Sequence, residues 1–254
     1  MPAALLGKFT RLLSAVSPFI ALAGIVFLQA QEYKKSVRQL NRADFLAQEQ
    51  ERSRLVNWQQ HSPSLGFDNL KANWSYLDFV QYFGDTEARE TIGYQLVPEY
   101  FETLTAIDPR FTQAYLTLSV ANSMYAGNPE TTIALMEEVL DSVDPESEQS
   151  AYLWTSKGLD ELLFMGDKEA AIASYKMAAK WQEQRMNRFD GLTIADLKTG
   201  LKDTTEIDLK QAQIMAWSSV LVHIRDNDRQ REILSKIATL KAELADLEQA
   251  NNVQ

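Results

Sequence analysis

Apolar positions along the chain fall into three regimes, and each predicts a different kind of element. Residues 12–31, LLSAVSPFIALAGIVFLQAQ, carry no charged side chain between Arg11 and Glu32. Twenty helical residues rise roughly 30 Å, the hydrocarbon thickness of a bilayer, so the run predicts a single membrane-spanning helix. Pro18 costs a soluble helix about 3 kcal/mol but is tolerated in a membrane helix, where neighbouring groups satisfy the freed backbone. A cleaved signal peptide would use Lys8, Arg11 and the small pair Ala21 and Ala23, yet GIVFL prolongs the apolar run past that site and favours an uncleaved anchor. A buried core helix ranks third, because the run has no polar face.

Residues 32–65 are polar and Gln-rich, with apolar positions only at Val37, Leu40, Phe45, Leu46 and Leu55 before the break at Pro63 and Gly66. That sparse pattern predicts a juxtamembrane stalk, with the folded domain beginning near Gly66. From there apolar residues recur at helical spacing between turn signals, predicting a helical domain over 66–201 and further helices over 202–254. Gly-polar pairs at Gly84–Asp85, Gly127–Asn128 and Gly166–Asp167 mark tight turns. Asp108–Pro109 and Asp144–Pro145 combine a capping residue with one preorganised for a first helical position, so each announces a helix. The order is helix, turn, helix, three times over.

This pattern resembles the tetratricopeptide repeat, a helix-turn-helix unit of about 34 residues. In the last unit Trp154 and Gly158 match the first helix, Gly166 and Asp167 the turn, and Ala171, Tyr175 and Ala178 the small, aromatic and small positions of the second helix. In the middle unit Tyr115 and Leu118 fit, Met136 and Val139 replace the aromatic and small residues, and Pro145 closes it. In the first unit Phe101, Leu104 and Pro109 match, but TEARETIGYQLVPE is longer than the family's turn. The resemblance covers residues 70–182 and implies an all-α solenoid of helical hairpins that binds protein segments in a groove. NWSYLDFVQYFGD, DPRFTQAY and GLDELLFMGD are also similar to uncharacterised membrane-anchored repeat proteins of cyanobacteria. That narrower resemblance implies a thylakoid or plasma membrane location and a role in assembling or stabilising photosynthetic membrane complexes.

Among the rings of Trp74, Tyr76, Phe79, Tyr82 and Phe83, which cover more than one helical face, most are expected in the core. Trp74 and Tyr82 are the candidate partner-binding anchors, since Trp and Tyr are enriched at binding hot spots. Residues 187–206 read as a loop with one short helix. Ile207, Ile214, Trp217, Leu221 and Ile224 suit a helix capping a solenoid, and Ile233, Ile237, Leu240, Leu244 and Leu247 follow a four-three seam. Two heptads leave two readings open there, terminal capping or a homodimer through 233–247.

Composition and charge narrow the function. A net charge of -10 argues against nucleic acid, and the absence of cysteine excludes disulfides and thiolate metal sites. His61 and His223 stand far apart, and ten scattered glycines form no phosphate loop, so no catalytic, cofactor or metal site is expected. The acidic run 144–148 and the pair Glu137 and Glu138 read as solvated helix starts and faces, and Asp226–Asp228 lacks the later ligands of a calcium loop. Lys8 and Arg11 precede the span while Lys34, Lys35, Arg38 and Arg42 follow it, which places the carboxyl-terminal bulk on the cytoplasmic side of a single-pass protein. The reading is a non-catalytic scaffold for membrane-complex subunits; a constitutive structural subunit and an enzyme with dispersed residues are the alternatives.

Overall fold

Good helix formers separated by Gly-polar turns leave little choice of element, and every regular element among the described residues is helical. The computed structural model describes Pro18 and residues 22–29, 40–147, 149–184 and 204–252. The chain divides into two units, 1–44 and 45–254. In the first, residues 22–29 are helical and Leu22, Ile25, Val26, Phe27 and Leu28 are exposed. The rest of the expected span lies outside the described residues, as does most of the expected loop over 187–206. Among the described residues no helix is long and apolar enough to cross a membrane.

The helices are α1 (Arg42–His61), α2 (Asp68–Gly84), α3 (Thr86–Ile92), α4 (Val97–Ile107), α5 (Thr112–Tyr115), α6 (Pro129–Leu140), α7 (Ser150–Asp160), α8 (Lys168–Gln184), α9 (Glu206–Leu221) and α10 (Asn227–Asn252). The path after α5 runs through a π-helical segment, Ser119–Tyr125, and α7 runs into another, Glu161–Met165. Neighbours in sequence are neighbours in space: α2 packs on α4, α4 on α6, α6 on α7, α7 on α8 and α9 on α10. The main core extends from Val56 through Phe79, Tyr100, Phe101, Tyr115, Met136 and Leu153 to Trp181. A second apolar cluster joins Phe164 to Trp217, Val220, Ile224, Ile233, Ile237 and Leu240.

All three Gly-polar pairs separate helices. Asp85 Oδ1 accepts from Ala88 N–H at 3.3 Å, and Asp167 Oδ1 from Ala170 N–H at 2.8 Å, capping α3 and α8. At Gly127 φ is +72°, and an added Cβ would lie 2.8 Å from Ile224 Cδ1 and 3.0 Å from Val220 Cγ1. Glycine is needed there both for the left-handed turn and for the close approach of the chain around α9.

Two expectations need correction. The folded unit begins at Phe45, not near Gly66: α1 buries Phe45, Glu49 and Val56, so the second half of the expected stalk is part of the body. It escaped notice because α1 is attached mainly by polar side chains. Arg52 pairs with Asp78 at 3.3 Å, and Ser53 Oγ donates to Glu99 at 2.8 Å. The Asp-Pro pairs stand ahead of their helices instead of capping them. Asp108 ends α4 and its Oδ1 accepts from Arg110 N–H at 3.1 Å, while α5 starts only at Thr112; Asp144 does the same with Glu146 at 2.9 Å ahead of α7. In the four-three seam, Ile233, Ile237 and Leu240 are buried in the cluster with Trp217 and Phe164, whereas Leu244 and Leu247 are half-buried.

Candidate functional surface

The residues expected to pack the repeats sit where small and large side chains must interlock. Phe101, Tyr115, Ala171, Tyr175 and Ala178 are buried, and Trp154 is half-buried with its ring edge-on to Trp181 at 5.7 Å. A Cβ on Gly158 would lie 2.8 Å from Tyr175 Cε1, so glycine in α7 lets the Tyr175 ring of α8 lie against the backbone. Burial, with Glu161 and Asp160 nearby, pushes the Tyr175 hydroxyl up to about 12.

The two expected anchors part company. Trp74 is 66% exposed, whereas Tyr82 is 1% exposed and is not a surface ring. Tyr82 O–H donates to Glu49 Oε1 at 2.9 Å and accepts from Leu96 N–H at 3.1 Å. Arg89 forms a fork on the same carboxylate, at 3.2 Å to Oε1 and 2.8 Å to Oε2, with its guanidinium 3.8 Å from the Tyr82 ring centre. Burial, reinforced by Glu49, raises the Tyr82 hydroxyl above its usual range, and Arg89 opposes the shift. This cluster forms the floor of an open cleft of about 240 Å³ that Phe45, Gln48, Arg52, Leu55 and Asp85 also line. Its charged groups are committed to one another, which makes it a clamp holding α1 to α2 and α3.

A second polar cluster lies at the two π-helical segments. Asp160 is 1% exposed; its Oδ1 accepts from Ser119 Oγ at 2.7 Å and its Oδ2 from Ser123 Oγ at 2.6 Å. Ser123 Oγ also lies 2.8 Å from Thr132 Oγ1, and Asn122 Nδ2 donates to the same oxygen at 3.1 Å. Without a directly paired cation, burial pushes the Asp160 carboxyl up to about 6; the two serine hydroxyls pull it down and Glu161 adds to the rise. The adjacent buried Lys157 is bound instead to Glu161 and, at 3.2 Å, to Glu137, while Ser174 Oγ donates to Glu161 Oε2 at 2.6 Å. The sequence signal for this network is Ser119, Asn122 and Ser123, grouped within one helical turn of a mainly apolar stretch.

The titratable groups singled out in the sequence have structural surroundings. His223 stacks on Tyr125 with ring centres 4.2 Å apart, and burial with the nearby Arg225 lowers its pKa. His61 Nδ1 lies 2.8 Å from the Asn57 carbonyl, and Asp226 Oδ1 accepts from the N–H groups of Asp228 and Arg229 at the start of α10. Among the described residues no group of three or more His, Cys, Asp or Glu is placed to hold a metal ion.

The largest asymmetry concerns exposed apolar side chains. The first helix of each successive pair displays them: Leu70, Trp74, Leu77 and Val80 on α2, Val120 and Met124 after α5, Tyr152, Leu159 and Met165 along α7 and its extension, and Met215 on α9. Among their described residues the second helices α4, α6 and α8 display no large exposed apolar side chain, and α10 displays Leu234. Compared with known protein families, with characterised proteins and with solved structures, the chain matches none.

Proposed function

We propose that the protein is a membrane-anchored, non-catalytic scaffold in which stacked tetratricopeptide-like hairpins hold protein segments, the partners being subunits of membrane complexes whose assembly or stability it supports. The observation that carries this reading is the one-sided display of apolar side chains. A stacked-hairpin domain has two kinds of helix, and a binding groove lined by one kind requires apolar anchors on that kind alone. Val120, Met124, Tyr152 and Leu159 satisfy this, on consecutive first helices with polar neighbours such as Gln113 and Gln149, whose side chains hydrogen-bond at 2.9 Å. Soluble monomers seldom spend so many large apolar residues on one surface without a partner. The anchor is supported by the uncharged run 12–31 and by the outward-facing Leu22, Ile25, Val26, Phe27 and Leu28.

Photo-crosslinking in intact membranes tests the reading. A photoreactive side chain at Met124 or Leu159 is expected to capture the same protein reproducibly, whereas one at Glu138, exposed on the second helix α6, captures nothing above background. Equal capture from both positions, or none from the first pair, overturns it. Comigration of the adduct partner on native gels separates a permanent subunit from a transient assembly factor.

A further inference from the structure

Helix α2 is apolar on two opposite sides, and only one of them is explained by the core. Ala72, Ser75, Phe79 and Tyr82 face inward, whereas Leu70, Trp74 and Leu77 form an exposed stripe at helical spacing, prolonged by Phe67 just before the helix. The stripe runs into the turn between α1 and α2. There Leu65 is 83% exposed and Trp58, near the end of α1, 67%. Three rings, Trp58, Phe67 and Trp74, each of ~150–250 Å² and about two-thirds exposed, leave roughly 300–500 Å² of aromatic surface in water before any leucine is counted. That already equals the largest apolar patch of an ordinary monomer.

The chemistry of the patch indicates what covers it. Residues 55–67, LVNWQQHSPSLGF, contain no Asp, Glu, Lys or Arg in a chain of net charge -10. The patch lies at the end of a hairpin, and nothing lies within 4 Å of a Cβ added at Gly66. Local hydrogen bonds shape the turn: Phe67 N–H donates to Ser64 O at 2.8 Å and Ser62 N–H to Trp58 O at 2.9 Å, and Lys71 Nζ ties the turn together at Ser62 O. Leu65 sits at φ 52°, the left-handed region that non-glycine residues seldom adopt. A turn with leucine and phenylalanine at its tip, tryptophan on either side and no charged side chain from Leu55 to Phe67 fits a lipid headgroup boundary, where Trp rings settle at the interface and smaller apolar groups enter the acyl region.

We propose that the α1–α2 turn, with Leu65 and Phe67 at its tip and Trp58 and Trp74 at its flanks, dips into the lipid surface and forms a membrane contact separate from the amino-terminal span. Trp74 then belongs to this contact and not to the protein-binding groove. The chain contains no cysteine, so single nitroxide labels can be placed without background. In the full chain reconstituted into phosphatidylcholine–phosphatidylglycerol vesicles, labels on Leu65→Cys and Phe67→Cys are expected to collide with oxygen in preference to a water-soluble nickel chelate. A label on Met215→Cys shows the reverse order, and one on Val26→Cys reports the anchor independently. Chelate access at 65 and 67 equal to that at 215 overturns the proposal even where position 26 is lipid-exposed. Labels at 65 and 67 shielded from both reagents also overturn it, and assign the patch to a protein or a second copy.

Discussion

Replacing Asp160 by Asn should stabilise the protein at neutral pH and remove one pH dependence. The carboxyl is enclosed by Ser119 and Ser123, and its pKa stands at about 6 in the folded chain against an ordinary 3.8. The folded state therefore holds a proton that the unfolded state has lost between these values. Stability from this group falls as pH rises through the window, and the full penalty is present above pH 6. A difference of about two pKa units corresponds to roughly 3 kcal/mol, an upper limit because the amide must also reorient its partners. Asn keeps one acceptor and adds a donor, which a rotated serine hydroxyl can accept. Expected is a gain of about 1–3 kcal/mol at pH 7.5 that shrinks as pH falls and approaches zero only below the ordinary carboxyl value of 3.8, read from urea unfolding of both proteins followed by circular dichroism. A difference that stays flat with pH, or an Asn variant less stable at pH 7.5, refutes the argument that an uncompensated carboxylate is buried there.

Gly158→Ala places a methyl 2.8 Å from the Tyr175 ring and should cost about 1–3 kcal/mol by overpacking; an unchanged melting temperature would show that α7 and α8 do not depend on that approach. Glu49→Ala leaves Arg89 buried without its carboxylate and should cost about 3–5 kcal/mol, with amide exchange rising first in α1; protection of α1 equal to that of the parent would contradict the clamp. Thr205→Ala removes a capping box, in which Thr205 Oγ1 accepts from Asp208 N–H at 3.1 Å and Asp208 Oδ2 accepts from Thr205 N–H at 3.0 Å. It should cost about 0.5–2 kcal/mol in the same urea titration, and no loss would place the start of α9 under other control.

What could be read from the sequence were features in which one residue type admits few environments. The alanines at 171 and 178 and the turn glycines at 127 and 166, both at positive φ, have a direct steric explanation, so the packing face of α8 and these turns were legible, whereas the contact of Gly158 with Tyr175 was not. The excess of rings around α2 was legible too, but not their assignment, because Trp74 and Tyr82 differ only in which side of the helix the neighbours occupy. Charged core contacts were hidden. Glu49, Arg52 and Arg89 read as a solvated stalk and loop, although Arg89 is 4% exposed and Glu49 8%. Ser119, Ser123 and Asp160 are hidden for the same reason: polar residues reveal burial only through partners far away in sequence.

The clamp on α1 gives the molecule a mechanical weak point of defined chemistry. Any load borne by the chain ahead of Arg42 reaches the body through this helix, whose grip consists of a carboxylate fork, a hydroxyl and a partly exposed ion pair more than of apolar area. Such contacts are short-ranged and fail together once displaced by an ångström or two, whereas the apolar stack from Phe79 to Trp181 yields gradually. A pull on the chain ahead of Arg42 would therefore release α1 as a tether about 30 Å long before it disturbed the hairpins, so the stacked helices are mechanically insulated from that end of the chain.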